Sequence, residues 1–339
     1  MAPSKQDPTA ALDVSSGWTA SRLAKAAGGL KVRFVQEWLA QQAAAGLVDF
    51  DEPTQTFSLR RHRAACLAEE LSGSFFAAYA TLIFACYSRL PKMLAAFRGK
   101  CLAPTYDEAG DAVADAMARL HVPEFRFHLI PKLLPAVLEG RLQAHLQAGG
   151  AVCADIGCSG ADCTLELAKL FPGSRFHAYE IAEPALERAR ANVARTCVGN
   201  LAVVDAKLQP VGRGPAGAGG KFDFVLCYDV LHDLSDPEAL MREVCGVLAP
   251  EGVWLVVDIT SFGAASENIK MHPGAGTYYG ISVCLCLPSG LSAEGGKGLG
   301  TLGFPPQVAE DMFRRCGFSR VRAFKMPGLE KNTCFEVQI

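Results

Sequence analysis

The chain has 339 residues, half of them apolar, and a formal charge of −2 at neutral pH. That length can bury two cores, and the near balance of acids and bases argues against nucleic acid or an anionic membrane as a partner of the whole surface. The longest apolar runs, such as residues 253–257, are far shorter than the roughly 20 residues that span a bilayer, so no membrane span is expected. Residues 1–16 carry Pro3, Asp7, Pro8 and Asp13 and lack an apolar stretch, which speaks against a secretory signal and for a cytoplasmic location. Thirteen cysteines are scattered without a CxxC pair, the pattern of reduced thiols, and no metal is expected.

Residues 19–27 read as a short helix capped by Thr19 and broken by Gly28 and Gly29. A second helix over 31–45 sets Phe34, Val35, Trp38 and Leu39 on one apolar face and closes at Gly46. Strand-like runs at 47–50 and 56–59 flank turn residues 51–54, completing a winged helix within residues 1–63. Such a motif binds DNA when its face is basic. Here Lys31, Arg33, Arg60, Arg61 and Arg63 are interleaved with Glu37, Asp49, Asp51 and Glu52, so a solvated or dimerising face is expected instead. Residues 64–149 are rich in Ala, Leu and Phe at helical spacing, as at Leu82, Phe84, Leu90, Met93 and Leu94. They are expected to link two domains and wall a substrate pocket.

From residue 150 to 339 the pattern becomes alternating strands and helices. A buried strand over 151–156 carries Asp155 and bends at Gly157, Ser159 and Gly160 into a helix at 163–170, the generic nucleotide crevice of an open parallel sheet. The strand 175–179 delivers Glu180 and then Ile181 to the position that faces a ribose. The strand 201–204 ends at Asp205 and Ala206, within reach of an adenine amine. A fourth strand brings Tyr228, Asp229, His232 and Asp233 to the same crevice; a helix at 237–248 and a strand at 253–259 ending in Asp258 follow. A helix at 305–316 and a hairpin of 318–324 with 333–339 close the domain. The glycine-rich stretch 290–303 lacks phosphate-loop spacing and reads as a mobile lid. His272 and Tyr278 in the same insertion, and His128 beside Phe125 and Phe127, are candidate substrate contacts.

Taken in order, DIGCSG, Glu180, Asp205-Ala206, FDFVLCYDVLHD and LAPEG resemble the motifs of class I S-adenosylmethionine-dependent methyltransferases. The segment from Thr19 to Asp51 resembles their winged-helix subgroup, and YDVLHDLSDPEAL resembles the VLHDWSD-type motif of plant and hydroxyindole O-methyltransferases. The resemblance implies an α/β fold: a Rossmann-like seven-stranded methyltransferase domain over 150–339, preceded by a mostly helical winged-helix domain. It implies S-adenosyl-L-methionine as cofactor, held by Asp155, Gly157, Ser159 and Gly160 at the methionine end and by Glu180 at the ribose. Ile181, Asp205, Ala206, Tyr228 and Asp229 would complete that cleft. A small-molecule methyl acceptor, a general base at His232 and a homodimer through the amino-terminal domain are implied as well. The family loop D-x-G-x-G-x-G has Ser159 and Ala161 at its second and third glycine positions here; a positive φ at Ser159 would strain it by about 1 kcal/mol. The winged-helix subgroup also carries helices ahead of the segment at residue 19, which residues 1–16 barely provide, so weaker dimerisation is expected. Two alternatives stand beside this reading. A NAD(P)-dependent oxidoreductase would use the same crevice but needs a G-x-G-x-x-G spacing that is not met, and a non-catalytic regulator would bind the cofactor as a signal and DNA through its winged helix.

Overall fold

Thr19 starts the first helix as its side chain suggests: Oγ1 accepts the Arg22 N–H at 3.2 Å, and α1 (Ala20–Ala26) follows. The computed structural model describes residues 17–215 and 220–339; the reading of residues 1–16 as free of a secretory signal lies outside the described residues. Gly28 and Gly29, both left-handed at φ 89° and 83°, turn the chain into α2 (Val32–Ala44). Only half of the expected apolar face of α2 is used. Val35 and Leu39 pack with Ala24, whereas Phe34 and Trp38 are 72 % and 53 % exposed. Val35 and Leu39 are four apart and stack along one stripe, while Phe34 and Trp38 lie about 100° round the helix, outside the cluster that Ala24, Leu23 and Phe57 complete.

The hairpin β1 (Asp49–Asp51) and β2 (Thr56–Ser58) pairs antiparallel, and an Asp51 carboxylate oxygen accepts the Thr54 N–H at 3.1 Å within the turn. Next comes α3 (Arg61–Leu67). Arg60 and Arg63 both reach Asp49, at 2.5 and 3.1 Å, and Arg33 pairs with Glu37, so three of the five basic side chains are matched by acids of the same unit.

The structure divides into two compact units between Ala78 and Tyr79. The helix α4 (Ala78–Tyr87) begins at that boundary; α5 (Leu90–Phe97) and α6 (Asp111–Glu124) belong to the second unit, and α6 runs without a break into a π-helical stretch, Phe125–Leu133. Pro123 and Pro131 lie within this run, and a proline, having no N–H to give, loosens the ordinary ladder into a wider turn. One turn, α7 (Leu134–Ala136), and α8 (Arg141–Ala148) then lead to the sheet.

Its strands are β3 (Val152–Ile156), β4 (Arg175–Glu180), β5 (Leu201–Asp205), β6 (Phe222–Tyr228), β7 (Leu248–Ile259), β8 (Arg320–Phe324) and β9 (Asn332–Gln338). They form one seven-stranded sheet in the order β5-β4-β3-β6-β7-β9-β8, parallel except that β9 runs antiparallel to both β7 and β8. Strand β7 begins at Leu248, ahead of the expected residue 253, with a register shift against β6 between Phe222 and Phe224. Alternate residues feed opposite cores, as a pleated strand dictates. Cys153, Phe224, Leu226 and Leu255 join α8 and α9 (Asp162–Leu170) on one face. Ala154, Val225, Cys227 and Trp254 join α11 (Pro237–Val247) and α15 (Pro306–Arg315) on the other.

The remaining helices are α10 (Glu183–Thr196), α12 (Ala265–Met271), α13 (Ala275–Cys284) and α14 (Cys286–Gly290). The glycine-rich stretch after α14 makes contacts at two points. The Lys297 N–H donates to the Ser235 carbonyl at 2.9 Å, its ammonium pairs with Glu238, and the Thr301 N–H donates to Ser282 Oγ at 3.0 Å. All thirteen cysteines are free thiols, and no helix among the described residues is long and apolar enough to cross a membrane. Because β4 lies on one side of β3 and β6 on the other, the chain reverses direction there and opens a crevice at the carboxyl ends of these strands.

Candidate active site

Asp155 ends β3 almost fully buried and accepts a hydrogen bond from the Thr164 hydroxyl at the start of α9. Burial pushes its carboxyl up to about 6; the Thr164 bond opposes that shift, and the Glu180 charge adds to it. The bend that follows is dictated by space. Gly157 has φ 72°, and a Cβ there would sit 2.5 Å from Val230 Cγ2, well inside van der Waals contact. Ser159 and Ala161 also adopt the left-handed conformation, at φ 51° and 58°, so the strain foreseen for Ser159 is present and is shared by Ala161. Glu180 clamps the bend: one carboxylate oxygen accepts the Ser159 N–H at 2.9 Å, and the other accepts the Ile181 and Ala182 N–H groups at 2.7 and 3.0 Å.

Glycine bend and β4 end form one wall of a cleft whose opposite wall is Tyr228, Asp229, Val230 and Asp233. Gly157, Ser159, Glu180 and Ile181 therefore share a hollow with Tyr228 and Asp229. Asp155 opens into an adjoining recess that also contains Gly157, Ser159 and Tyr228. Gly160, Asp205 and Ala206 stand back from these walls. The Gly160 carbonyl accepts from the Asn192 side chain at 2.8 Å, Asp205 accepts the Lys207 N–H at 2.9 Å, and the Ala206 N–H donates to the Glu180 carbonyl at 2.9 Å.

His232 lies on a short turn, Leu231–Asp233, after β6. Its Nδ1 is 2.5 Å from Asp258 Oδ1 at the end of β7, an oxygen that also accepts the Ile259 N–H at 2.7 Å. Its Nε2 is 3.4 Å from Asp233 Oδ1. Burial works against a charged imidazole, but the carboxylates of Asp258 and Asp233 outweigh it and hold the ring well above its usual value. His232 lines a second cavity together with Tyr79, Asp229, Tyr278 and Lys331. This cavity and the cleft share Tyr106, Met117, His121, Asp229 and Asp233, so the two adjoin.

A polar chain braces that junction. The Tyr228 hydroxyl donates to Glu124 at 2.5 Å, Glu124 pairs with Lys331, Asn332 donates to Asp229 at 2.8 Å, and His121 Nε2 lies 3.2 Å from Asp229. Burial disfavours the Lys331 charge, yet Glu124, Tyr79 and Asp229 shift its pKa upward and keep it an ammonium. Asp229 itself has φ 53°, a strained backbone held by these partners. Tyr106, His121, Glu124 and Lys331 carry no motif, and nothing in the sequence pattern singled them out. Of the three substrate candidates, Tyr278 lines the second cavity. His272 packs edge-on behind it with ring centroids 5.1 Å apart, and its Nδ1 accepts the Gly274 N–H at 3.0 Å. His128 lies outside these walls, 3.3 Å from the Lys132 ammonium and against Gly328.

Residues 154–254 match a methyltransferase domain family, and residues 8–69 match the Rv2258c-like winged HTH domain. The ubiquinone biosynthesis O-methyltransferase of Xanthomonas axonopodis pv. citri (strain 306) is 31 % identical over 111 residues, 33 % of this chain and 44 % of that protein. The chain thus spans less than half the length of the curated relatives it matches. A putative O-methyltransferase from Nostoc punctiforme PCC 73102 superimposes with a TM-score of 0.66 at 16 % identity, covering 96 % of this chain and 90 % of that one. Human N-acetylserotonin methyltransferase, solved in complex with SAM, superimposes with a TM-score of 0.65 at 12 % identity over 98 % and 89 % of the two chains. The fold is that of a class I S-adenosylmethionine-dependent methyltransferase, a Rossmann-like seven-stranded domain preceded by a winged-helix region.

Proposed function

We propose that this chain is an enzyme that transfers the methyl group of S-adenosylmethionine to a hydroxyl of a small-molecule acceptor. One observation carries the reading: the His232–Asp258 pair opens into a cavity that adjoins the cleft built from the glycine bend and Glu180. The residues of that cleft suit the cofactor. Gly157 brings bare backbone to the hollow, Glu180 keeps acceptor capacity beyond its three backbone bonds for ribose hydroxyls, and Asp155 offers a buried carboxylate to the methionine end. The bound cofactor supplies an activated methyl group on a sulfonium, so the protein's task is alignment and proton removal.

His232 performs the second part. Asp258 accepts a hydrogen bond from Nδ1–H and fixes the tautomer, and the Nε2 lone pair of the neutral ring then takes the hydroxyl proton of an acceptor in the cavity that His232 lines. Only the neutral ring can do this, and the flanking carboxylates favour the imidazolium. Tyr278 and Lys331 shape the far side of the cavity. The matched relatives named as O-methyltransferases favour oxygen as the acceptor atom. Thirteen unpaired thiols suit a reducing cytoplasm, and the exposed Phe34 and Trp38 of α2 support a homodimer through the amino-terminal unit. His232→Ala should lower turnover by about 10²-fold or more while the dissociation constant for S-adenosylmethionine stays unchanged. Undiminished turnover in a methyl-transfer assay with S-adenosylhomocysteine readout would remove His232 from the mechanism.

A further inference from the structure

We infer that His232, Asp233 and Cys286 form a binding site for a soft divalent cation of the zinc class. Their ligand atoms lie within 4.8 Å of one another, although the residues come from two separate elements, the turn after β6 and the first position of α14. One nitrogen, one oxygen and one sulfur donor form a set that zinc accepts and that magnesium and calcium do not. The spacing fits as well. Tetrahedral bonds of about 2.1 Å to nitrogen and oxygen set those two atoms about 3.4 Å apart, and His232 Nε2 is 3.4 Å from Asp233 Oδ1.

Two further features point to a ligand. Asp233 Oδ1 is shielded from solvent and makes no hydrogen bond, with His232 Nε2 standing off at 3.4 Å, a gap that a shared cation would bridge. His232 is already oriented as metal-bound histidines are, with Nδ1 engaged by a carboxylate, that of Asp258, and Nε2 on the side of Asp233 Oδ1. Three protein ligands leave a fourth position, which faces the cavity shared with Tyr278 and Lys331. On binding, the Cys286 thiol gives one proton to solvent and the thiolate joins the ion; no electron moves. Since Nε2 cannot hold an ion and accept a proton together, occupancy silences the base, a consequence that rests on the role proposed for His232 above.

The test uses the full chain, stripped with a chelator and carrying Cys101→Ser and Cys197→Ser to remove exposed thiols. Titration with cobalt(II) chloride should give one equivalent of a tetrahedral spectrum with a thiolate-to-cobalt charge-transfer band, displaced by zinc. Cys286→Ser and Cys286→Ala should abolish the band, and Asp233→Asn and Asp258→Asn should weaken cobalt binding by about 10-fold or more. Circular dichroism identifies which variants remain folded. Absence of the band in the parent protein, or an identical band in either folded Cys286 variant, would overturn the inference. Methyl transfer is measured separately on metal-free protein, so failure of either reading leaves the other standing.

Discussion

Gly157→Ala probes how the bend is built. The added methyl group would sit 2.5 Å from Val230 Cγ2, whereas carbons rest about 3.5–4.0 Å apart. Either Val230 or the bend must therefore yield by about 1 Å. Alanine at φ 72° adds a left-handed penalty of roughly 1–2 kcal/mol, and overpacking costs roughly 1–3 kcal/mol. The expected destabilisation is about 2–5 kcal/mol, a fall in Tm of roughly 5–15 °C for a unit of this size. Affinity for S-adenosylmethionine should fall at least about tenfold, because the displaced backbone is the cleft wall. Val230→Ala in the same chain should return the steric part and leave the backbone part. Differential scanning fluorimetry gives the stability and calorimetry the affinity. A Tm within about 1 °C of wild type together with an unchanged dissociation constant would refute the reasoning.

Two other substitutions test the same wall. Ser159 occupies a left-handed position that glycine tolerates better, so Ser159→Gly should raise stability by up to about 1 kcal/mol without weakening cofactor binding; a lower Tm would show that the Ser159 side chain contributes more than its strain removes. Asp155 has its carboxyl raised to about 6 from an ordinary 3.8, so the native state favours the protonated form. That contribution is fully present below the unfolded value and is lost as pH rises through about 6, costing on the order of 3 kcal/mol at neutral pH. Asp155→Asn should therefore flatten the stability profile between roughly pH 4 and 6 and raise Tm at pH 7.5. Urea melts across that range check it, and a profile parallel to wild type would contradict the assignment.

What was legible in the sequence lies at strand ends. Buried parallel strands are largely apolar runs, so polar residues mark their carboxyl ends: Asp155 and Glu180 stand there, and His232 stands on the turn that follows β6. Asp205 occupies a similar position but spends a carboxylate oxygen on Lys207, a local turn that strand logic does not foresee. The face of α2 was overread because helical spacing tells which residues align, not how many neighbours arrive to cover them. Tyr106, His121, Glu124 and Lys331 reach the site from helical and hairpin segments far away in the chain, and only the folded sheet brings them to one place. Cys286 meets His232 in the same way, across 53 intervening positions that no ligand spacing describes.

Calorimetric titration of the full chain with S-adenosylmethionine tests the central claim most directly. One saturable equivalent of binding is predicted, weakened by about tenfold or more in Glu180→Ala, which removes both the ribose acceptor and the clamp on the bend. No heat of binding, or an affinity untouched by Glu180→Ala, would contradict the account.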